Sequence, residues 1–513
     1  MSEVDAPLPD DLATCHELIR QQAATIREAQ RRIEQLEHQV GQLLRRQYGP
    51  RSERLNPDQL RLFADDTAEE DAGSQPAEPV PEERGTPART WRRRGRQSLP
   101  EHLPRERIVL ELSEPERDCP DCGRIRMPFG EEVSEQLEFV PASLFVRQFV
   151  RLKYACGSCQ EHVAIAAKPP QPIEKGLPGP GLLAQVITSK YGEHLPLYRQ
   201  EDILARHGVT LSRATLCGWM ARAAELLRPL YAVMIERVRA SKVIWTDDTT
   251  VPVWDPTLPA TRTGRFWVYL GGARNPFCVY DFTHRRTRDG PERFLSDFRG
   301  YLQADAFTGY DRICAGPDVI RVACWAHVRR KFYECRTTAP ILAHEALARI
   351  RRLYRIETDC REMPAEERQA IRQRDAVPIL AAFGAWLDEQ SRQVLPKSPL
   401  GQAIAYARNQ WPDLQTYTRD GELSIDNNLA ERSLRAQAIG RKNYLFVGSD
   451  RGGRTAATLY SFAGSCKRLG ADPFAYLREV LERLPTHPAA RLAELLPDAW
   501  FAAHPDARRK AAS

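Results

Sequence analysis

Apolar residues between Leu12 and Leu43 fall in a heptad. Leu12, Ile19, Ile26, Ile33 and Val40 stand seven apart, with Cys15, Gln22, Ala29, Leu36 and Leu43 on the companion seam. Gln, Glu and Arg fill the positions between, so the pattern predicts a coiled coil over 10–48, weakest at Gln22 and Ala29. β-Branched residues at the first seam position favour a parallel dimer, giving self-association through this helix. An amphipathic helix packed on its own protein is the plain alternative. Tyr48-Gly49-Pro50 ends it. Farther on the period changes. Glu135–Pro141 and Phe145–Tyr154 alternate like strands. Gly181–Leu227 reads as helices, two of them meeting across Gly208, the second opening after Ser212 as N-cap. Lys242–Asp255 is an apolar, β-branched and aromatic run of the kind that forms a buried strand. Gly264–Leu270 and Phe277–Phe282 predict an antiparallel pair, followed by a helix around Pro291–Phe298 and strands leading to Asp305 and Cys324. The stretch from Ala339 to Asp420 is largely helical; its acids, such as Glu345 and Glu357, are expected on solvated faces. A helix starts near Ser424, and Asp472–Trp500 forms a helical tail.

The 513 residues suggest three or four domains, and 42% hydrophobic content is enough for cores. A net charge of +6 permits a nucleic-acid partner without demanding one. Local charge says more. Asp65–Glu83 carries eight acidic residues and no basic one, which predicts a disordered linker. Arg84–Arg107 reverses sign with eight arginines against two glutamates. There Arg92, Arg93 and Arg94 could follow a phosphate backbone and Trp91 could stack on a base; a solvated basic linker is the alternative. No apolar run approaches the ~18 residues of a membrane span. The N-terminus lacks a signal pattern, so a cytoplasmic protein is expected. Twelve cysteines in a reducing compartment point to metal or burial rather than disulfides.

Cys119-x-x-Cys122 and Cys156-x-x-Cys159 are two knuckles separated by 33 residues, four thiolates for one structural Zn²⁺ in a ribbon-like module. The helix pair around Gly208 has the form of a helix-turn-helix, which would turn Arg213, Thr215 and Arg222 toward DNA; a plain helical hairpin is the alternative. Carboxylates near the ends of buried strands are costly unless paired or metal-bound. Asp247, Asp305 and, in the first turns of the helix after Ser424, Glu431 make such a set. Asp247 and Asp248 should point to opposite faces, so one of them can join a given site. Asn428 and Glu431 also fit a capping box. Three carboxylates can hold two divalent ions, with Mg²⁺ leaving positions for water and phosphate oxygens. Ile425–Gly470 carries eight basic residues and three acidic. Asn427, Asn428 and Arg435 lie about one turn from Glu431 and would flank a phosphodiester, and Arg441-Lys442 precedes a basic, glycine-containing loop, Gly448–Arg454. Cys324-x-x-His327 reads as a core thiol and a hydrogen-bonded histidine, or as half of a second metal site with Cys335.

Asp247-Asp-Thr, Gln303-Ala-Asp305-Ala-Phe-Thr-Gly-Tyr310, Cys324-Trp-Ala-His327-Val-Arg-Arg-Lys-Phe332 and Asn427-Asn-Leu-Ala-Glu431-Arg-Ser-Leu-Arg435 together resemble the DDE transposases of the insertion sequence sixty-six family. The resemblance spans almost the whole chain. Its one departure is Asp248 where the family has Glu. It implies a bacterial, nucleoid-associated DNA transposase with Asp247, Asp305 and Glu431 as catalytic residues holding two Mg²⁺ ions. Its partners would be double-stranded DNA, both element ends and target, and small accessory proteins of the same element. The whole chain then reads as a multidomain α/β protein: a coiled coil (10–48), an acidic then basic linker (65–107), a zinc module (108–168) and a helical DNA-binding region (177–238), with the resemblance supplying the fold of the next domain. A ribonuclease-H-like catalytic domain (241–335 and 424–470) follows, split by a helical insertion (336–423), then a tail (471–513). The rival expectation is a DNA-binding regulator with an inactive catalytic domain.

Overall fold

The computed structural model describes residues 11, 99, 101, 103–121, 123–140, 143–156 and 163–507, with scattered helical residues between 16 and 28. Most of the heptad seam, the acidic block, Arg92, Arg93, Arg94, Cys122 and Cys159 lie outside the described residues. The chain divides into two compact units. The larger comprises Leu99–Arg330, Ala346–Asp388 and Tyr406–Ser513; the smaller gathers Met1–Ser98, Lys331–Glu345 and Glu389–Ala405.

The first sheet of the larger unit is ordered β1 (Arg105–Leu110), β3 (Ser143–Ala155), β2 (Met127–Val140), with β4 (Ala164–Ile165) also on β3. β2 and β3 are an antiparallel hairpin and β1 joins β3 in parallel. β1 therefore begins inside the stretch expected to be linker. Arg105 and Arg107, read there as free basic charge, pair with Glu135 and Glu131 across the sheet. Glu138 on β2 is buried and accepts the Leu182 amide at 3.0 Å from the first turn of α1 (Pro180–Ile187). A carboxylate at a helix start meets unpaired N–H groups there. A Cβ on Gly181 would come 2.1 Å from that carboxylate, which explains the glycine.

α2 (Leu197–Arg206) and α3 (Arg213–Arg239) follow, joined through Gly208 in the left-handed region. Ser212 caps α3 by accepting the Thr215 amide. The 27-residue α3 buries Leu216, Trp219, Met220, Ala223, Leu227, Leu230, Met234 and Val238 at helical spacing.

The second sheet runs β7 (Cys278–Thr283), β6 (Arg262–Leu270), β5 (Val243–Val253), β8 (Gly300–Gln303), β9 (Val319–Val322). β5, β6 and β7 are antiparallel; β8 and β9 are parallel to β5. α4 (Asp289–Phe294) links β7 to β8 and ends short of the expected Phe298. After β9 come α5 (Trp325–Glu334), α6 (Pro340–Asp359), α7 (Ala365–Ile371), α8 (Val377–Gln393), α9 (Pro399–Asn409) and α10 (Trp411–Gln415). The chain then returns through α11 (Asn428–Tyr444) and α12 (Asp450–Leu469) and closes with α13 (Pro473–Arg483) and α14 (Pro497–Ala503). In the smaller unit Ser398 caps α9 by accepting the Gly401 amide.

An edge strand exposes a row of unpaired amides. On β7 this row is covered by α12: Ser465 accepts the Cys278 amide at 2.9 Å and Ser461 accepts the Tyr280 amide at 2.8 Å. Gly448–Arg454 is not the loop expected from its glycines. Ser449 caps α12, whose first turns contain Gly452 and Gly453. Gly453 is there for packing, since a Cβ would lie 2.6 Å from the Phe282 ring. Gly453→Ala should destabilise the fold by about 1–3 kcal/mol through overpacking. Urea unfolding followed by tryptophan fluorescence checks this; an unchanged midpoint would show that α12 can shift freely on β7.

Glu357 is also not on a solvated face. It forms a two-pronged pair with Arg372, at 2.9 and 2.6 Å, and the Arg372 side chain is 1% exposed. The guanidinium further donates to the carbonyls of Tyr417, Asp420 and Leu423. A buried charge needs this full set of partners. The insertion thereby holds the segment that leads into α11.

Candidate active site

The parallel register sets the site. Trp245 on β5 stands opposite Gln303 on β8. Two residues farther along each chain come Asp247 and Asp305, on the same face and at the same end of neighbouring strands, because side chains alternate with period two. Asp305 leaves the strand and its carboxylate accepts the Phe307 amide at 3.1 Å.

Glu431 arrives from α11, which is stapled to both strands. The buried Gln303 side chain donates to the carbonyls of Ser424 and Asp426, at 2.6 and 2.9 Å, and accepts the Ser424 amide at 3.2 Å. The buried Asn427 amide donates to the Thr246 carbonyl at 2.8 Å. The Trp325 amide, first in α5, donates to the Ile425 carbonyl. Gln303 sits two residues from Asp305, Thr246 one from Asp247 and Asn427 about one helical turn before Glu431, and Asp305 and Glu431 both act electrostatically on Asp247. Burial, and then the charges of Asp305 and Glu431, push the Asp247 carboxyl well above its usual range. Such a concentration of negative charge is costly without a cation, and an all-oxygen donor set suits Mg²⁺.

Asp248, the next residue along β5, is held by two arginines. Its side chain is 2% exposed and pairs with Arg265 at 2.7 Å and Arg286 at 2.8 Å. Burial raises its carboxyl and the two guanidinium groups oppose that shift. The Arg286 guanidinium also approaches Asp305 to 3.6 Å and lies 4.2 Å from the centroid of the Phe307 ring. No sequence pattern singled out Arg286, which stands in a connection after β7.

The capping box does not form. Asp426 accepts the Asn428 amide at 3.1 Å and the Asn428 side-chain amide at 2.8 Å, so Asp426 is the local cap and Glu431 is left for the site. Asn427, expected beside a phosphodiester, is instead an internal staple. Arg441 donates to the Thr249 and Thr250 hydroxyls and to the Thr250 carbonyl, fastening α11 to β5. Arg435 and Lys442 are exposed on α11. Arg213, Thr215 and Arg222 are exposed on α3. The Thr215 hydroxyl shares a hydrogen bond with Ser212.

Cys324 and His327 are not a bare core pair. The Cys324 sulfur, the His327 ring and a Glu431 oxygen lie within 4.8 Å of one another. Cys335, proposed as a companion, instead donates its thiol to the Lys331 carbonyl one turn back, in α5.

In the first sheet, Cys119 and Cys156 are both buried, at 2% and 1% exposure. The Cys119 turn closes through Gly123, at φ +67°, whose amide donates to the Cys119 carbonyl. The end of this turn leads into Met127, paired with Ala155 next to Cys156. Two buried thiols, one in the turn before β2 and one directly after β3, fit half of a tetrahedral zinc set.

Comparison with known proteins adds a family. Residues 175–455 match the model described as Transposase IS66 family. Residues 116–160 match a zinc-finger binding domain of transposase IS66, 461–497 an IS66 C-terminal element, and 35–108 a model described as Transposase C of IS166 homeodomain. The uncharacterised protein y4jD of Sinorhizobium fredii is 33% identical over 495 residues, covering 93% of this chain and 96% of its own. From the same organism, the uncharacterised protein y4qI is 34% identical over 492 residues, covering 92% and 90%. No helix among the described residues is long and apolar enough to cross a membrane.

Proposed function

The chain belongs to the IS66 family of transposases, and from that premise we propose that it cuts the ends of its own element and joins them to target DNA. The observation that carries this reading is the convergence of Asp247, Asp305 and Glu431 on stapled, rigid elements. The order of three antiparallel strands and two parallel ones, with helices returning behind them, supports a ribonuclease-H-like fold split by the insertion α6–α10.

Asp247, Asp305 and Glu431 supply the carboxylate oxygens that would hold two Mg²⁺ ions. Such ions lower the pKa of water and neutralise charge on the attacking and leaving oxygens of an in-line displacement. The protein's task is positioning and charge control. Gln303, Asn427 and Arg372 fix where the acids stand. Arg286 keeps Asp248 out of the set and tethers the Asp305 side. Water attacks a phosphodiester at the element end and frees a 3′-hydroxyl, which then attacks the target strand. Arg435 and Lys442 on α11, with Arg213, Thr215 and Arg222 on α3, are candidate contacts to the DNA backbone and groove. Cys119, Cys122, Cys156 and Cys159 hold one structural Zn²⁺. The N-terminal heptads pair two copies, and accessory proteins of the element assist them.

The test is strand cleavage and joining on a labelled element-end duplex with Mg²⁺, with the accessory proteins present, comparing wild type with Asp305→Ala. Joined products from wild type and none from the variant, both binding the duplex equally, is the expected result. Binding without cleavage by either protein would favour a DNA-binding regulator.

A further inference from the structure

Cys324 ends the chain segment after β9, immediately before α5. Its sulfur accepts the Asn427 amide at 3.2 Å, and the His327 backbone amide also hydrogen-bonds to it. Two amides directed at one buried sulfur stabilise a thiolate better than a neutral thiol, which is a weak acceptor.

His327 Nδ1 is buried without a hydrogen-bond partner and lies 3.8 Å from Glu431 Oε1. That is too long for a hydrogen bond. It is close to the ~3.4 Å that separates two ligands at ~2.1 Å from one tetrahedral zinc ion. All three donor atoms fall within 4.8 Å of one another, and the His327 and Glu431 side chains remain 28% and 32% exposed, leaving a fourth position open to solvent.

We propose that Cys324, His327 and Glu431 form a binding site for a thiophilic divalent cation, Zn²⁺, with one coordination position open. A sulfur, an imidazole and one carboxylate select zinc over magnesium, which takes oxygen ligands. Glu431 belongs to both this site and the three-acid cluster. That sharing, unlike the zinc site itself, rests on the function proposed above: zinc engages the side chain that the cleavage reaction needs, and Zn²⁺ inhibits in competition with Mg²⁺.

The alternative is a thiol that merely caps α5. Cys324→Ser separates the two, because a serine hydroxyl keeps the cap and loses the soft ligand. Full-length protein carrying zinc in its four-cysteine module is titrated with Co²⁺, and the spectrum of Cys324→Ser is subtracted from that of wild type. The expected difference is one equivalent of cobalt per chain with thiolate-to-metal charge transfer and tetrahedral ligand-field bands. His327→Ala should lose the same bands, and Cys324→Ser should melt at the wild-type temperature. A wild-type spectrum identical to that of both variants would overturn the proposal, as would a full second equivalent retained in Cys324→Ser. The readout needs no DNA cleavage, so the zinc site and the transposase reading fail separately.

Discussion

Asp247→Asn is expected to lower strand cleavage by at least about 10²–10³-fold, the usual scale for losing one preorganised electrostatic group in an active site. Binding to the element-end duplex should be unchanged. The charge is removed from the middle of a three-acid cluster in which Asp305 and Glu431 already oppose it. The amide keeps the size and can still accept the Asp248 backbone N–H, bonded at 2.8 Å in the native chain. The folded state should therefore be at least as stable as wild type. Asp248→Asn should behave in the opposite way. It leaves Arg265 and Arg286 short of their buried partner, so stability falls, and activity falls by less than for Asp247→Asn. Single-turnover cleavage and thermal melting, run on both variants, decide the matter. Equal loss of cleavage with intact stability in both would mean that the two neighbouring acids share the site.

Arg372→Ala is expected to cost about 3–5 kcal/mol of folding free energy, the range for breaking a buried ion pair by removing one partner. The loss goes beyond Glu357. Three backbone carbonyls, of Tyr417, Asp420 and Leu423, lose their donor at once. Glu357→Ala should cost less, because the guanidinium keeps those carbonyls, and removing both residues should not restore stability. Denaturant titration of the three variants measures this. A double variant as stable as wild type would show that the carbonyls find other donors.

The sequence made the acids legible because they interrupt apolar strands where a charge needs a reason. It made β5, β6 and β7 legible through alternation and the Gly271–Pro276 turn. The structural roles of Gln303 and Asn427 stayed hidden. Each is a buried polar residue whose partners are backbone groups more than a hundred residues away, and no local pattern encodes that. Glu357 was misplaced because helical periodicity finds an apolar face but cannot tell a solvated acid from one paired with a buried arginine. The glycines before Thr455 read as a loop because glycine opposes helix; close packing against Phe282 outweighs that cost. Cys324 and His327 looked incomplete since their third neighbour, Glu431, is distant in sequence and adjacent in space.

That distance also bears on synthesis of the chain. The sheet is complete once Val322 has emerged from the ribosome, and it already carries Asp247 and Asp305. Glu431 follows only after the whole helical insertion. At ~5–20 residues per second, on the order of ten seconds separate the two events. During that interval a nascent chain has all five strands and two of its three acids, but not α11 and α12, which pack on the sheet. A polypeptide broken off within the insertion would lack Glu431, and with it the three-acid site on which the proposed cleavage depends.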